Sequence, residues 1–123
     1  MKAKFGSLAK VQARAFGPLL VGSLLGKRQR RPFSVHHVYL KPRGSHPALR
    51  HLATCEFFLI LKGSIRARIG LRSRRMAAGD FAYLPPGCAH AFHAGKNGVE
   101  VLAVFSPPMD LRKPDIVHAT KNK

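Results

Sequence analysis

The chain has 123 residues, 46% of them hydrophobic, and carries 22 Lys and Arg against five Asp and Glu, a formal net charge of +17. That length suits a single domain that buries roughly two-thirds of its unfolded surface, and the two cysteines, Cys55 and Cys88, exclude a disulfide framework and point to a reducing, cytoplasmic setting. The charge draws anions, whether a nucleic acid, an acidic lipid surface or a small carboxylate or phosphate, but it informs association and not fold.

Residues 1–32 read as a basic arm packed on the domain, either irregular or an edge strand. Its apolar stretch at 18–26 is glycine-interrupted and far shorter than the ~20 residues that span a membrane. A basic start before an apolar stretch has the outline of a signal peptide, and the lack of acids that of a mitochondrial transit sequence. However, the basic run 27–31 stands where a small-residue cleavage site belongs. That run reads as a solvated loop or an anion-binding spot.

From Phe33 the pattern turns to period two. Phe33, Val35, His37 and Tyr39 share one face, Ser34, His36, Val38 and Leu40 the other, and Lys41-Pro42-Arg43-Gly44 closes the strand. Residues 55–61 form the next strand. A Lys62-Gly63-Ser64 turn then leads into 65–69, where apolar residues alternate with arginine, and the two runs are predicted to make a hairpin with one arginine-lined face. A basic turn and short strand follow over 70–76, then strands at 81–84, 89–94 and 99–105, with 95–98 as a hairpin loop. About seven or eight short strands with regular turn signals predict an all-β, antiparallel sandwich or barrel over 33–109. Residues 110–123, rich in Lys and Pro, read as a C-terminal tail with a mobile end.

Strand parity decides which groups meet. Glu56, Phe58 and Ile60 share one face of their strand, Phe57, Leu59 and Leu61 the other. Both faces are apolar, so one fills the barrel and the other needs a second sheet or a second subunit, which predicts a homodimer. Glu56 is then a carboxylate opening an apolar strand, and an unpaired buried charge is too costly to keep. His51 precedes it, and His90 follows the Pro85-Pro86-Gly87 turn. Two imidazoles and one carboxylate on neighbouring strands suit a divalent first-row metal with positions left open for substrate. A buried Glu–His hydrogen-bonded pair without metal satisfies the same residues.

The two stretches resemble the paired motifs of the cupin superfamily, G-x5-H-x-H-x3,4-E-x6-G and G-x5-P-x-G-x2-H-x3-N. Gly79, Pro85, Gly87 and His90 match the second motif; His51, Glu56 and Gly63 match the end of the first. The chain is thus similar to a small single-domain, RmlC-like cupin. The resemblance implies an antiparallel double-stranded β-helix, or jelly-roll barrel, with a metal site in its mouth. Such sites use three histidines and one glutamate. Here Leu49 stands at the first histidine of the H-x-H pair, the initial glycine falls one place late at Gly44, and Ala94 replaces the final asparagine. His51, Glu56 and His90 remain as ligands for iron, manganese, nickel or zinc, and His46, in a Gly-Ser-His-Pro turn, is the candidate fourth. The lost histidine equally marks a barrel that no longer binds metal.

Leu49, Phe58, Tyr83, Phe92 and Phe105 are candidates for the pocket wall, with Cys88 at the rim. Cys55 reads as packing, and His93 faces away. Three functions follow. The first is a barrel binding a divalent metal and a small anionic ligand, with a metal-dependent dioxygenase or isomerase as its catalytic form. The second is a non-catalytic ligand binder that has lost metal. The third is a polyanion binder acting through the basic surface, for which no nucleic-acid motif accompanies the charge.

Overall fold

Alternating apolar and polar side chains build nine strands: β1 (Ala13–Phe16), β2 (Leu19–Leu25), β3 (Ser34–Leu40), β4 (Leu49–Arg50), β5 (Cys55–Ile69), β6 (Arg72–Ala77), β7 (Phe81–Leu84), β8 (His90–Ser106) and β9 (Val117–His118). The computed structural model describes residues 3–27 and 31–118. Most of the basic run 27–31 and the end of the tail, 119–123, therefore lie outside the described residues. Among those described there is a 3-10 turn at Leu8–Lys10 and no α-helix.

Every strand pair is antiparallel. β5 and β8 form the axis, paired from Cys55 opposite Ser106 to Ile69 opposite His90. β8 continues to β3, β3 to β2 and β2 to β1. On its other edge β5 carries β7 against residues 56–59 and β6 against 64–69. The sheet curls on itself as an all-β jelly-roll barrel, as the sequence predicts. Its inner face gathers Leu40, Phe58, Ile60, Ile65, Met76, Leu84 and Val99 into one core cluster. The parity of β5 holds: Glu56, Phe58 and Ile60 are buried, while Phe57 and Leu61 on the outer face are exposed. Burial of a side chain such as Phe58 contributes roughly 1.5–3 kcal/mol.

Two segments predicted as turns do not reverse the chain. Lys62-Gly63-Ser64 lies inside β5 and 95–98 inside β8, where the two strands bend together with register shifts. A Cβ on Gly63, whose φ is +85°, would lie 2.1 Å from the Gly98 carbonyl oxygen, and one on Gly95 would lie 2.4 Å from Ser64 Oγ. Glycine is needed here for the close approach of two bent strands rather than for a hairpin turn. The hairpin with the arginine face is instead β5–β6, turning at Gly70 and Leu71, with Arg66 directly opposite Arg75.

The two ends of the chain join the sheet. The arm is a regular β1–β2 hairpin that extends the sheet, with Leu19 opposite Leu40 and Val21 opposite Val38. The predicted tail is ordered through His118: β9 pairs with β4, and buried Met109 donates its N–H to Ser34 Oγ. Apolar residues spaced through 109–116 let this segment fold back across the barrel mouth as a strap.

Candidate functional site

Inside the barrel is a cavity of about 130 Å³, walled by apolar side chains from six of the nine strands and polar at one end. β3 contributes His36, Val38 and Leu40, β5 Glu56 and Phe58, and β8 His90, Phe92, Val101 and Phe105. The arm adds Leu19 and Val21, and the strap adds Leu111, Pro114 and Ile116. Among the described residues no lysine or arginine lines it. The large positive charge therefore lies outside the cavity.

At the polar end His51, Glu56 and His90 come together, each buried, with one ligand atom apiece all within 4.8 Å of one another. Glu56 Oε1 is 3.3 Å from His51 Nε2 and 3.7 Å from His90 Nε2. The rings are held from behind by backbone carbonyls, which accept only from an N–H. His51 Nδ1 donates to the Asp115 carbonyl at 2.6 Å, and His90 Nδ1 to the Cys88 carbonyl at 3.1 Å. These bonds fix the protonated nitrogen at Nδ1 and aim each Nε2 at Glu56, as outer partners of metal-binding histidines do. His46 is fixed the same way, donating Nδ1–H to the Pro47 carbonyl at 2.9 Å. Its ring packs on Phe92 and lies 6.2 Å, centre to centre, from that of His90.

Burial opposes protonation of His51, but the Glu56 carboxylate and the Asp115 carbonyl overcome it and raise the pKa. For His90 burial wins over the attraction of Glu56, and the pKa falls. Burial likewise lowers that of His46. The three rings are thus pushed in opposite directions, His51 up by its acceptors and His90 and His46 down by burial.

Besides the β4–β9 pairing and the Met109 bond to Ser34, one side chain clasps the strap. The Asp115 carboxylate accepts from the N–H groups of Leu52 and Ala53 and from the Thr54 hydroxyl, at 2.9 to 3.0 Å. Burial works to raise its pKa, and these hydrogen bonds lower it. The same residue therefore clasps the loop after His51 and orients His51 itself.

The structure places His46, Leu49, Phe58, Phe92 and Phe105 in the cavity wall beside the trio. Leu49 is opposite His90 in the β4–β8 register. Tyr83 is a correction: it is 61% exposed on the outer face of β7, because Leu84 takes the inward position of that strand. Cys88 packs against the core without lining the cavity. His93 is exposed, as its parity requires. Sequence reasoning missed His36, which is fully buried between Ser23 Oγ and Ser34 Oγ at 2.9 Å each. The alternation of β3 had placed it on the face of Leu40, which was the available signal. Asp115 carried no signal, since its partners lie more than sixty residues away.

Comparison with known proteins identifies the fold. The family model described as a cupin domain matches residues 36–105. An uncharacterized protein of Streptomyces coelicolor is 31% identical over 71 residues, covering 58% of this chain and 68% of that protein. Among solved structures, KdgF from Halomonas sp. superposes with a TM-score of 0.81 at 15% identity, covering 91% of this chain and 100% of that one. A variant of oxalate decarboxylase from B. subtilis gives 0.77 at 21% identity, covering 93% of this chain but 32% of that longer chain. The structural likenesses show a shared fold.

Proposed function

The chain belongs to the cupin family, and from that premise we propose that it binds a divalent first-row metal through His51, Glu56 and His90 and takes a small ligand against the apolar wall beside them. The observation that carries this reading is the convergence of two carbonyl-oriented Nε2 atoms on one buried carboxylate. Two imidazoles and a carboxylate fit iron, manganese, nickel or zinc and leave coordination positions for a ligand. When bound, the metal supplies Lewis acidity of the kind a dioxygenase or isomerase uses.

The protein's own contribution is orientation, size and dryness. The Asp115 and Cys88 carbonyls hold the two rings, and Phe92 and Phe105 keep water from the polar end. A cavity of about 130 Å³ limits the ligand to about the size of a benzene ring. With no lysine or arginine in the wall, an anionic ligand would owe its counter-charge to the metal.

Metal analysis of protein purified without chelator or added metal is expected to find near-stoichiometric metal, and calorimetric titration to lose at least tenfold in affinity in His51→Ala and Glu56→Ala. Absence of stoichiometric metal, together with unchanged titration in both variants, sinks the reading. Leu49 favours a second one, a ligand-binding barrel without metal, since it puts a hydrocarbon at the cavity wall opposite His90. A ligand-dependent rise in melting temperature that survives excess chelator would support that alternative.

A further inference from the structure

β6 and β7 lie along the same edge of β5, on either side of its bend, and between them runs a surface groove that shares no lining residue with the cavity holding His51, Glu56 and His90. Its lining includes Arg72 and Arg74 from β6 and Phe81 and Tyr83 from β7. The two rings point to the same side of their strand, about 7 Å apart along it, and are 66% and 61% exposed. The Phe81 ring packs on Phe57 at 5.8 Å, centre to centre, so the aromatics form a contiguous exposed patch beside the arginines rather than scattered rings, and such patches mark interaction surfaces.

Among the described residues neither groove arginine makes an ion pair with a carboxylate. Four of the five acidic side chains are engaged elsewhere: Glu56 with the histidines, Glu100 with His37, Asp110 with Arg112, Asp115 with the 52–54 loop. Asp80 shares an adjoining recess with Arg74 and Arg75 but accepts from the Ala77 N–H and makes no ion pair with them. On the opposite face of the ladder from Arg72 and Arg74, Arg66 stands directly across from Arg75, and His93 stands opposite Arg66 on the other side. Like charges facing each other across a ladder are destabilising unless something neutralises them.

We propose that this groove binds single-stranded nucleic acid, with Arg72 and Arg74 on phosphates and the faces of Phe81 and Tyr83 stacking on successive bases. Strand-borne aromatics beside a basic track are the general means by which sheets hold unpaired bases, and they tolerate any sequence. A second copy of the chain fits the groove poorly, because it brings another +17 to a face already short of anions. An anionic bilayer is a weaker occupant, since the rings sit on a strand inside a groove rather than on a protruding loop.

The test is fluorescence anisotropy of a labelled oligothymidine with the full chain across a NaCl series. Binding should weaken steeply with salt, and the log–log slope should shrink by about 1.4 in the Arg72→Ala/Arg74→Ala variant, the value for two single-strand phosphate contacts. Phe81→Ala and Tyr83→Ala should each weaken binding at least fivefold with the slope unchanged, while Lys10→Ala/Arg14→Ala on the arm changes little. All variants are surface changes, and unaltered melting temperatures confirm their folds. The proposal is overturned if the ring variants bind like wild type, or if the arm pair loses as much as the groove pair, which means a diffuse field. It is equally overturned if the groove variants instead abolish binding to phosphatidylserine vesicles or self-association in sedimentation.

Discussion

His36 shows what one buried imidazole does to the whole. It is wholly inaccessible, bonded at both nitrogens to serine hydroxyls, and desolvation pushes its pKa down to about 4 in spite of the Glu56 charge. The unfolded chain, with a value near 6.5, takes up this proton first as pH falls. The stability it contributes is therefore complete above 6.5 and is lost as pH falls through the folded value, on the order of 3 kcal/mol in all. Urea unfolding between pH 7 and 4 is expected to show that loss, and to show clearly less of it in His36→Gln, which keeps hydrogen bonds and removes the titration. Equal acid sensitivity in both proteins would assign the effect to other groups. At this scale much was legible in the sequence. The intervals among His51, Glu56 and His90 follow from strand parity and a turn, and the structure brings the three together. Tyr83 was misplaced because parity within a short strand does not say which face is inward.

Among the elements, the strap from Met109 to His118 has the most influence for its size. It closes the mouth through Leu111, Pro114 and Ile116, and one carboxylate fastens it. Removing that carboxylate in Asp115→Ala strips acceptors from two backbone N–H groups and a hydroxyl, and loosens the carbonyl that orients His51. Stability should fall by about 1–3 kcal/mol, and affinity for added zinc or manganese, read by chelator competition, by about 10–100-fold. Unchanged metal affinity in a destabilised variant would make the strap a purely structural clasp. Neither the strap nor the continuity of β5 and β8 could be read from the chain. Charge and proline in the strap masked contacts made only in three dimensions. In Gly63 and Gly98 the sequence signals a positive φ but not whether the backbone reverses or merely bends.

At the level of the molecule, the apolar interior and the charged exterior are separate systems. The barrel could be foreseen from alternation and turn spacing, whereas the destination of the charge could not, since net charge carries no address. Among the described residues Arg112 alone of the arginines pairs with a carboxylate, so repulsion among the other exposed arginines is largely unrelieved. Raising NaCl from about 0.05 to 0.5 M shortens the screening length to a few ångströms. The melting temperature is expected to rise over that range, and a flat response in a fluorescence melt would mean the repulsion is already relieved.

The same salt exposes a hazard. β6 and β7 have no neighbour beyond β5 among the described residues, so each offers a row of unpaired backbone N–H and C=O groups to any passing strand. Natural sheets guard such borders with charge, and three arginines in the six residues of β6 form that guard. A guard made only of charge works only while ions are few. The protein's colloidal behaviour is therefore set by the medium: well dispersed in dilute buffer, and open to edge-to-edge assembly in brine.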